Sequence, residues 1–186
     1  MMPFGLRNAA QTCQRLMDEV LRGLPGCFIY IDDILIASES AALHREHLHA
    51  ALSRLSQYGI KVNKAKCLLG VPELDFLGHH VSAAGIAPLP SKVEAITNFP
   101  TPETERQLRK FIGMVTFYHR FLQRAADHLQ PLYRLLTLKS TSRQDRQLVW
   151  TQEASDAFQR SKDAVASAVL LSHQVPSAPV SIQADA

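Results

Sequence analysis

The sequence predicts an α+β fold, with antiparallel strands and helices in the first half and helices dominating the second. Three observations predict it. The apolar run from Cys27 to Ala37 is broken in its middle by Asp32 and Asp33, and solitary carboxylates are rarely buried unpaired, so a tight turn between two strands should expose them. Leu74 to Val81 repeats that plan, with Gly78 as the turn between two short strands. Beyond Pro88-Leu89-Pro90 the strand texture stops, and apolar residues recur at helical spacing.

The elements follow in order. Asn8 to Arg22 places Ala9, Cys13, Leu16, Met17, Val20 and Leu21 on one helical face, and Gly23 and Pro25 end it. The carboxylate hairpin comes next. After Ser38 a second helix runs to Tyr58, with Leu48, Ala51, Leu52, Leu55 and Tyr58 as its stripe and Gly59 closing it. Ile60 to Val62 and Cys67 to Leu69 are short strand candidates, and Ala83-Ala84-Gly85 closes the Gly78 unit. Ser91 is placed to cap a short helix to Asn98, which Pro100 and Pro102 stop. Thr104 with Gln107 forms a capping box for a helix bearing Leu108, Phe111, Ile112, Val115 and Tyr118. Leu129 to Leu138 is a further helix, and Ser140 to Gln147 is a polar linker before Trp150. From Thr151 a last helix turns Ala154, Ala157, Phe158, Ser161, Ala164 and Val165 inward. The alternating end, Val180 to Asp185, opens a strand that stops as it begins, so a cut domain is expected there.

Composition narrows the class. The chain has 186 residues, 46% of them apolar and 20% charged, which is ordinary globular material. No apolar run nears the roughly 20 residues of a membrane span, and Met1-Met2-Pro3-Phe4-Gly5 lacks a signal segment, so a soluble intracellular chain without membrane partners is expected. Cys13, Cys27 and Cys67 are widely spaced in apolar patterns and fit reduced core thiols better than disulfides or a zinc site. His44-Arg45-Glu46-His47-Leu48-His49 matches no zinc spacing and is expected on the polar face of its helix; His79 and His80 are expected to pack in a strand. The net charge of +3 is uneven: residues 1–90 carry eight Lys/Arg and eight Asp/Glu, residues 91–150 ten and five, and residues 151–186 two and four. The middle third is therefore the candidate for binding phosphate backbones, against the plainer reading of a solvated helix face.

Side chains alternate along a strand, so adjacent aspartates reach one metal only where a turn intervenes. Carboxylates at a hairpin tip can hold Mg²⁺, which keeps waters and takes substrate phosphates as its remaining ligands, as phosphoryl transfer requires. Further distinctive stretches accompany Tyr30-Ile31-Asp32-Asp33. Met2-Pro3-Phe4-Gly5-Leu6-Arg7-Asn8-Ala9 with Gln14-Arg15-Leu16-Met17-Asp18, then Gly59-Ile60-Lys61-Val62-Asn63 with Lys66-Cys67, then Phe76-Leu77-Gly78-His79 occur in order. Ser91 to Ile96, Leu108 to Gly113, Tyr118-His119-Arg120-Phe121, Trp150 with Ala157-Phe158, and Ala184-Asp185-Ala186 follow. Together they resemble the reverse transcriptase region of gypsy-type (Ty3-like) long-terminal-repeat retrotransposon polyproteins. Ala10 and Cys13 depart from it, standing where that family usually has Pro and Phe.

The resemblance implies a partial palm over 1–90 with its two hairpins, a helical thumb over 91–139, and over 140–186 a connection into an incomplete α/β ribonuclease H-like start. It implies RNA-directed DNA polymerisation, addition of a deoxynucleotide to a primer 3′-hydroxyl. Asp32 and Asp33 would be catalytic and hold Mg²⁺, or alternatively Mn²⁺. Phe4, Gly5, Tyr30 and Lys66 would meet the nucleotide, with Lys66 as candidate proton donor to pyrophosphate. Leu77 and Gly78 would grip the primer, Arg106, Arg109, Lys110 and Arg120 would meet duplex phosphates, and Asp185 would be a first ribonuclease H-like carboxylate. The implied partners are an RNA or DNA template with primer and deoxynucleoside triphosphates, in the cytoplasm, within a virus-like particle, or in the nucleus. The family's third metal-binding Asp lies upstream of the segment that starts here at Met1, so this chain is expected to be inactive alone. The rival readings are a degenerate, non-catalytic remnant that binds nucleic acid or a partner, and an unrelated metal-dependent hydrolase.

Overall fold

The structure is a computed structural model describing residues 7–137 and 147–173. Phe4, Gly5, Asp185, the terminal strand at 180–185 and most of the polar linker lie outside the described residues. By its contacts the chain divides into two compact units, Met1–Val71 and Pro72–Ala186. The change of texture at Pro88–Pro90 thus falls inside the second unit, where strand and helix share one core.

In the first unit, α1 (Ala9–Val20) leads into a hairpin of β1 (Cys27–Tyr30) and β2 (Asp33–Ile36), followed by α2 (Ala41–Gln57). The hairpin register pairs Cys27 with Ile36, Phe28 with Leu35, Ile29 with Ile34 and Tyr30 with Asp33. Cys27, Ile29, Ile34 and Ile36 accordingly pack toward Met17, Val20 and Leu21 of the first helical segment and Ala51 and Leu55 of α2, while Phe28 and Tyr30 face out. Ser40 caps α2 by accepting from the Leu43 amide. Its other end closes as a Schellman motif, with the Gly59 amide donating to Ser56 and that of Ile60 to Leu55.

The predicted stripe of α2 is corrected at two places. Leu52 and Tyr58 are exposed, because the buried row is set by Ala51 and Leu55, one turn apart. His44 and His47 do not sit on a purely solvated face: each contacts the Ser38 hydroxyl, at 3.4 and 2.9 Å. The strand candidates at 60–62 and 67–69 are not strands. A 3₁₀ turn, Lys64–Lys66, lies between them, started by Asn63 accepting from the Ala65 amide; no pairing strand lies alongside among the described residues. Cys67 sits half-buried at the end of that turn, donating to the Asn63 carbonyl, and is not a core thiol.

In the second unit, β3 (Leu74–Phe76), β4 (His79–Ser82) and β5 (Gly85–Pro88) form an antiparallel meander. Helices α3 (Pro90–Thr97), α4 (Glu105–Phe117), α5 (Ala125–Thr137) and α6 (Gln152–Ala166) follow. Pro90 occupies the first turn of α3, where its missing N–H costs nothing, and Leu89 is the cap residue; Ser91 lies inside the helix and makes no cap. The Thr104–Gln107 capping box opens α4 as expected. The core gathers Leu108, Phe111, Ile112 and Val115 from α4, Leu129, Leu132 and Leu135 from α5, and Ala154, Ala157, Phe158 and Val165 from α6. Phe111 and Phe158 meet at 4.5 Å between ring centres. Buried Ser161 satisfies its hydroxyl on the Ala157 carbonyl, 2.8 Å away. Leu171 extends the meander by exchanging backbone hydrogen bonds with Ile86.

Candidate active site

The carboxylate hairpin turns on Ile31 and Asp32 alone, since Tyr30 and Asp33 are already paired across the strands. Asp32 is a turn residue and Asp33 the first residue of β2. Both are exposed, and neither carboxylate has a hydrogen-bond or ion-pair partner among the described residues. Two unspent, hard oxygen donors at a hairpin tip suit Mg²⁺ or Mn²⁺, which take carboxylates together with waters and phosphates. Tyr30, 53% exposed, lies opposite Asp33 on the same outward face.

The turn is built against local preference. Ile31 has φ of 55° while Asp32 does not share the positive value, the pattern of a type II′ hairpin whose first turn position usually takes glycine. A β-branched residue there costs about 1–2 kcal/mol. Gln14 of α1 offsets part of that cost, its Oε1 accepting from the Ile31 amide at 2.6 Å. Its Nε2 donates to Asp18 Oδ1 at 2.8 Å and to the Ile29 carbonyl at 3.4 Å. The amide cannot be flipped without setting oxygen against oxygen at both places. Cys13, one residue earlier, directs its thiol at the Ile31 carbonyl, 3.8 Å away. Burial pushes the Cys27 thiol above its ordinary pKa, so it stays protonated within β1.

Lys66 shares this unit but sits exposed in the 3₁₀ turn, not on a strand, and makes no hydrogen bond or ion pair with Asp32 or Asp33 among the described residues. Leu77 and Gly78 form the two-residue turn between β3 and β4, both at positive φ, 47° and 80°. That is the type I′ pattern, for which Gly at the second position is the usual solution. Arg106, Arg109 and Lys110 are exposed along α4, Arg109 near Glu105 at 3.6 Å and Lys110 over the Phe99 ring at 5.9 Å. Arg120 is exposed in the 3₁₀ turn His119–Phe121.

Residues 1–81 match the family model described as reverse transcriptase (RNA-dependent DNA polymerase). Over 87% of its length the chain is 37% identical to the retrovirus-related Pol polyprotein from transposon 297 of Drosophila melanogaster, and over its whole length 33% identical to that from transposon opus. The gypsy polyprotein of the same fly is 31% identical over 89% of the chain. The chain belongs to the reverse transcriptase region of retrotransposon Pol polyproteins. It spans 15–19% of the length of those relatives. The fold agrees: the foamy viral protease-reverse transcriptase in complex with double-stranded DNA superposes with a TM-score of 0.80 at 24% identity, over 91% of this chain and 29% of that one. The same enzyme in complex with an RNA/DNA hybrid gives 0.79 over 93% of this chain and 23% of the other.

Within this reverse transcriptase segment the structure brings Tyr30, Asp32 and Asp33 together on one hairpin and Leu77 and Gly78 on another. Reading the sequence missed Gln14 as a functional residue. The available signal was the isoleucine at a turn position that normally demands glycine, a local violation that needs an outside support.

Proposed function

We propose that this segment carries the catalytic hairpin of an RNA-directed DNA polymerase that adds deoxynucleotides to a primer 3′-hydroxyl on an RNA or DNA template. One observation carries the reading: two exposed carboxylates, unpartnered among the described residues, at a turn whose backbone, not whose side chains, is pinned by Gln14. Asp32 and Asp33 would hold Mg²⁺, which when bound supplies charge stabilisation at the phosphoryl group. Tyr30 would line the nucleotide side of the hairpin, Lys66 would serve the leaving pyrophosphate, and the Leu77–Gly78 turn would meet the primer end. Arg106, Arg109, Lys110 and Arg120 would contact duplex phosphates. In this reading residues 1–90 serve as palm, 91–139 as thumb and 140–186 as connection toward a ribonuclease H-like domain.

Mn²⁺ titration of the labelled chain tests the metal role, with paramagnetic broadening expected first at residues 30–33 and lost in Asp32→Asn. In a polyprotein containing this segment, Asp32→Asn should lower primer extension by roughly 10²-fold or more. Duplex binding should weaken with salt, by a log–log slope of about 0.9 per phosphate contacted. Salt-sensitive duplex binding with no broadening at 30–33 would instead support the binding remnant, a reading the exposed basic row of α4 favours.

A further inference from the structure

The second hairpin holds its turn by a device that no local sequence rule requires. His79 Nδ1 lies 2.9 Å from the Leu77 carbonyl, and since a carbonyl only accepts, Nδ1 carries the proton. Nε2 is then a bare acceptor, and it is buried without a partner among the described residues. The ring lies 5.2, 5.7 and 5.6 Å from those of Phe117, Tyr118 and Phe121. A phenylalanine would fill that aromatic cradle without stranding a nitrogen, so the imidazole's distinct contribution is its bond to Leu77. Tyr118, only 2% exposed, donates its hydroxyl to the Gly78 carbonyl at 2.7 Å. Burial raises the phenol's pKa, opposed by a backbone hydrogen bond at Leu89, so the hydroxyl keeps the proton it donates. A Cβ on Gly78 would sit 3.1 Å from the Phe117 ring, so the turn backbone rests directly on that cradle. Both turn carbonyls are tied inward, whereas Leu77 as a residue is 36% exposed.

We propose that Tyr118 and His79 are positioning residues that lock the Leu77–Gly78 turn in a single conformation, presenting the Leu77 side chain already ordered to the primer terminus. The primer-terminus half rests on the function proposed above; the clamp does not. An ordered turn is not charged the entropy of loop immobilisation when the ligand arrives. Tyr118 and the Phe117 cradle lie at the end of α4, so at this joint the hairpin packs directly against the helix that carries the basic row.

The test uses this chain, its Tyr118→Phe and His79→Phe variants, amide exchange, and a duplex whose primer ends in a photoreactive nucleotide. Tyr118→Phe should speed exchange of residues 76–82 about five- to tenfold, the loss of one buried hydrogen bond, while α6 stays unchanged. Cross-linking of the primer end to residues 76–79 should fall several-fold, with salt-dependent duplex affinity changed less than about twofold. His79→Phe keeps the stack and should also loosen the turn, while the thermal midpoint holds or rises as the stranded nitrogen is removed. An unchanged turn in both variants overturns the clamp, and so does faster exchange spread equally over α4 and α6, which marks Tyr118 as ordinary core. A turn that loosens in both while the unaltered chain gives no cross-link at 76–79 upholds the clamp and removes the primer-terminus role.

Discussion

The first hairpin takes its support from beneath and leaves its chemistry unspent, whereas the second is tied down at the turn itself. At Ile31 one glutamine grips an amide and a neighbouring carbonyl, and Asp32 and Asp33 remain free of protein partners among the described residues. At Leu77–Gly78 both turn carbonyls are satisfied by aromatic side chains, and no titratable group stands in the turn. The difference follows from what each must offer. In the proposed function, carboxylates that bind an external cation would not also serve as the hairpin's anchors, so anchoring would fall to the backbone, whereas a turn offering only shape could be clamped from inside.

The largest effect that sharpens this contrast is expected from Gly78→Ala. Its φ of 80° disfavours a side chain, and the new Cβ would press on the Phe117 ring. A cost of about 1–2 kcal/mol should lower the unfolding midpoint by several degrees, followed through Trp150, the chain's only tryptophan, which packs on Phe158 in the same unit. An unaltered midpoint would show that the cradle yields freely and is no clamp.

Next comes Gln14→Ala, which strands the Ile31 amide and should cost about 1 kcal/mol or slightly more, read as faster exchange in β1 and β2 with β3 and β4 unmoved. Ile31→Gly should act in the opposite sense on stability, since glycine accepts the positive φ, and should recover part of the loss when combined with Gln14→Ala. Strict additivity of the two changes would contradict the view that Gln14 compensates for the isoleucine.

The smallest effect is a pH dependence confined to the second unit. His80 is paired across the strands with Asp75, 3.0 Å away, and lies 3.5 Å from Glu73. The hydrogen bond to Asp75 first, then the charges of Glu73 and Asp75, hold its pKa above the ordinary 6.5. The folded state therefore binds the proton more tightly than the unfolded chain. The stabilisation is fully present below 6.5 and fades as pH climbs through the raised value. His80→Gln should flatten that slope in Trp150-detected melts, and a slope that survives the change assigns it to another group. The exposure of the pair keeps the effect small.

Much of this was legible in the sequence because it is local. The capping box at Thr104, the Schellman end of α2, both hairpins and the inward face of α6 depend on residues within a few positions of one another. The errors arose where a partner was needed. Residues 60–62 and 67–69 have strand composition but no paired strand alongside among the described residues. Ser91 has cap chemistry, yet Pro90 already begins α3. Leu52 and Tyr58 fit a helical period but not the row that α2 buries.

By itself the sequence determined the order of the helices and of the two hairpins, the carboxylates at a turn, and membership of the reverse transcriptase family, because pattern and motif are properties of neighbours along the chain. Only the tertiary structure decided that Gln14 braces Ile31 across 17 residues and that Tyr118 holds Gly78 across 40. Such contacts join positions that no periodicity relates, and they exist only once helix and hairpin have packed.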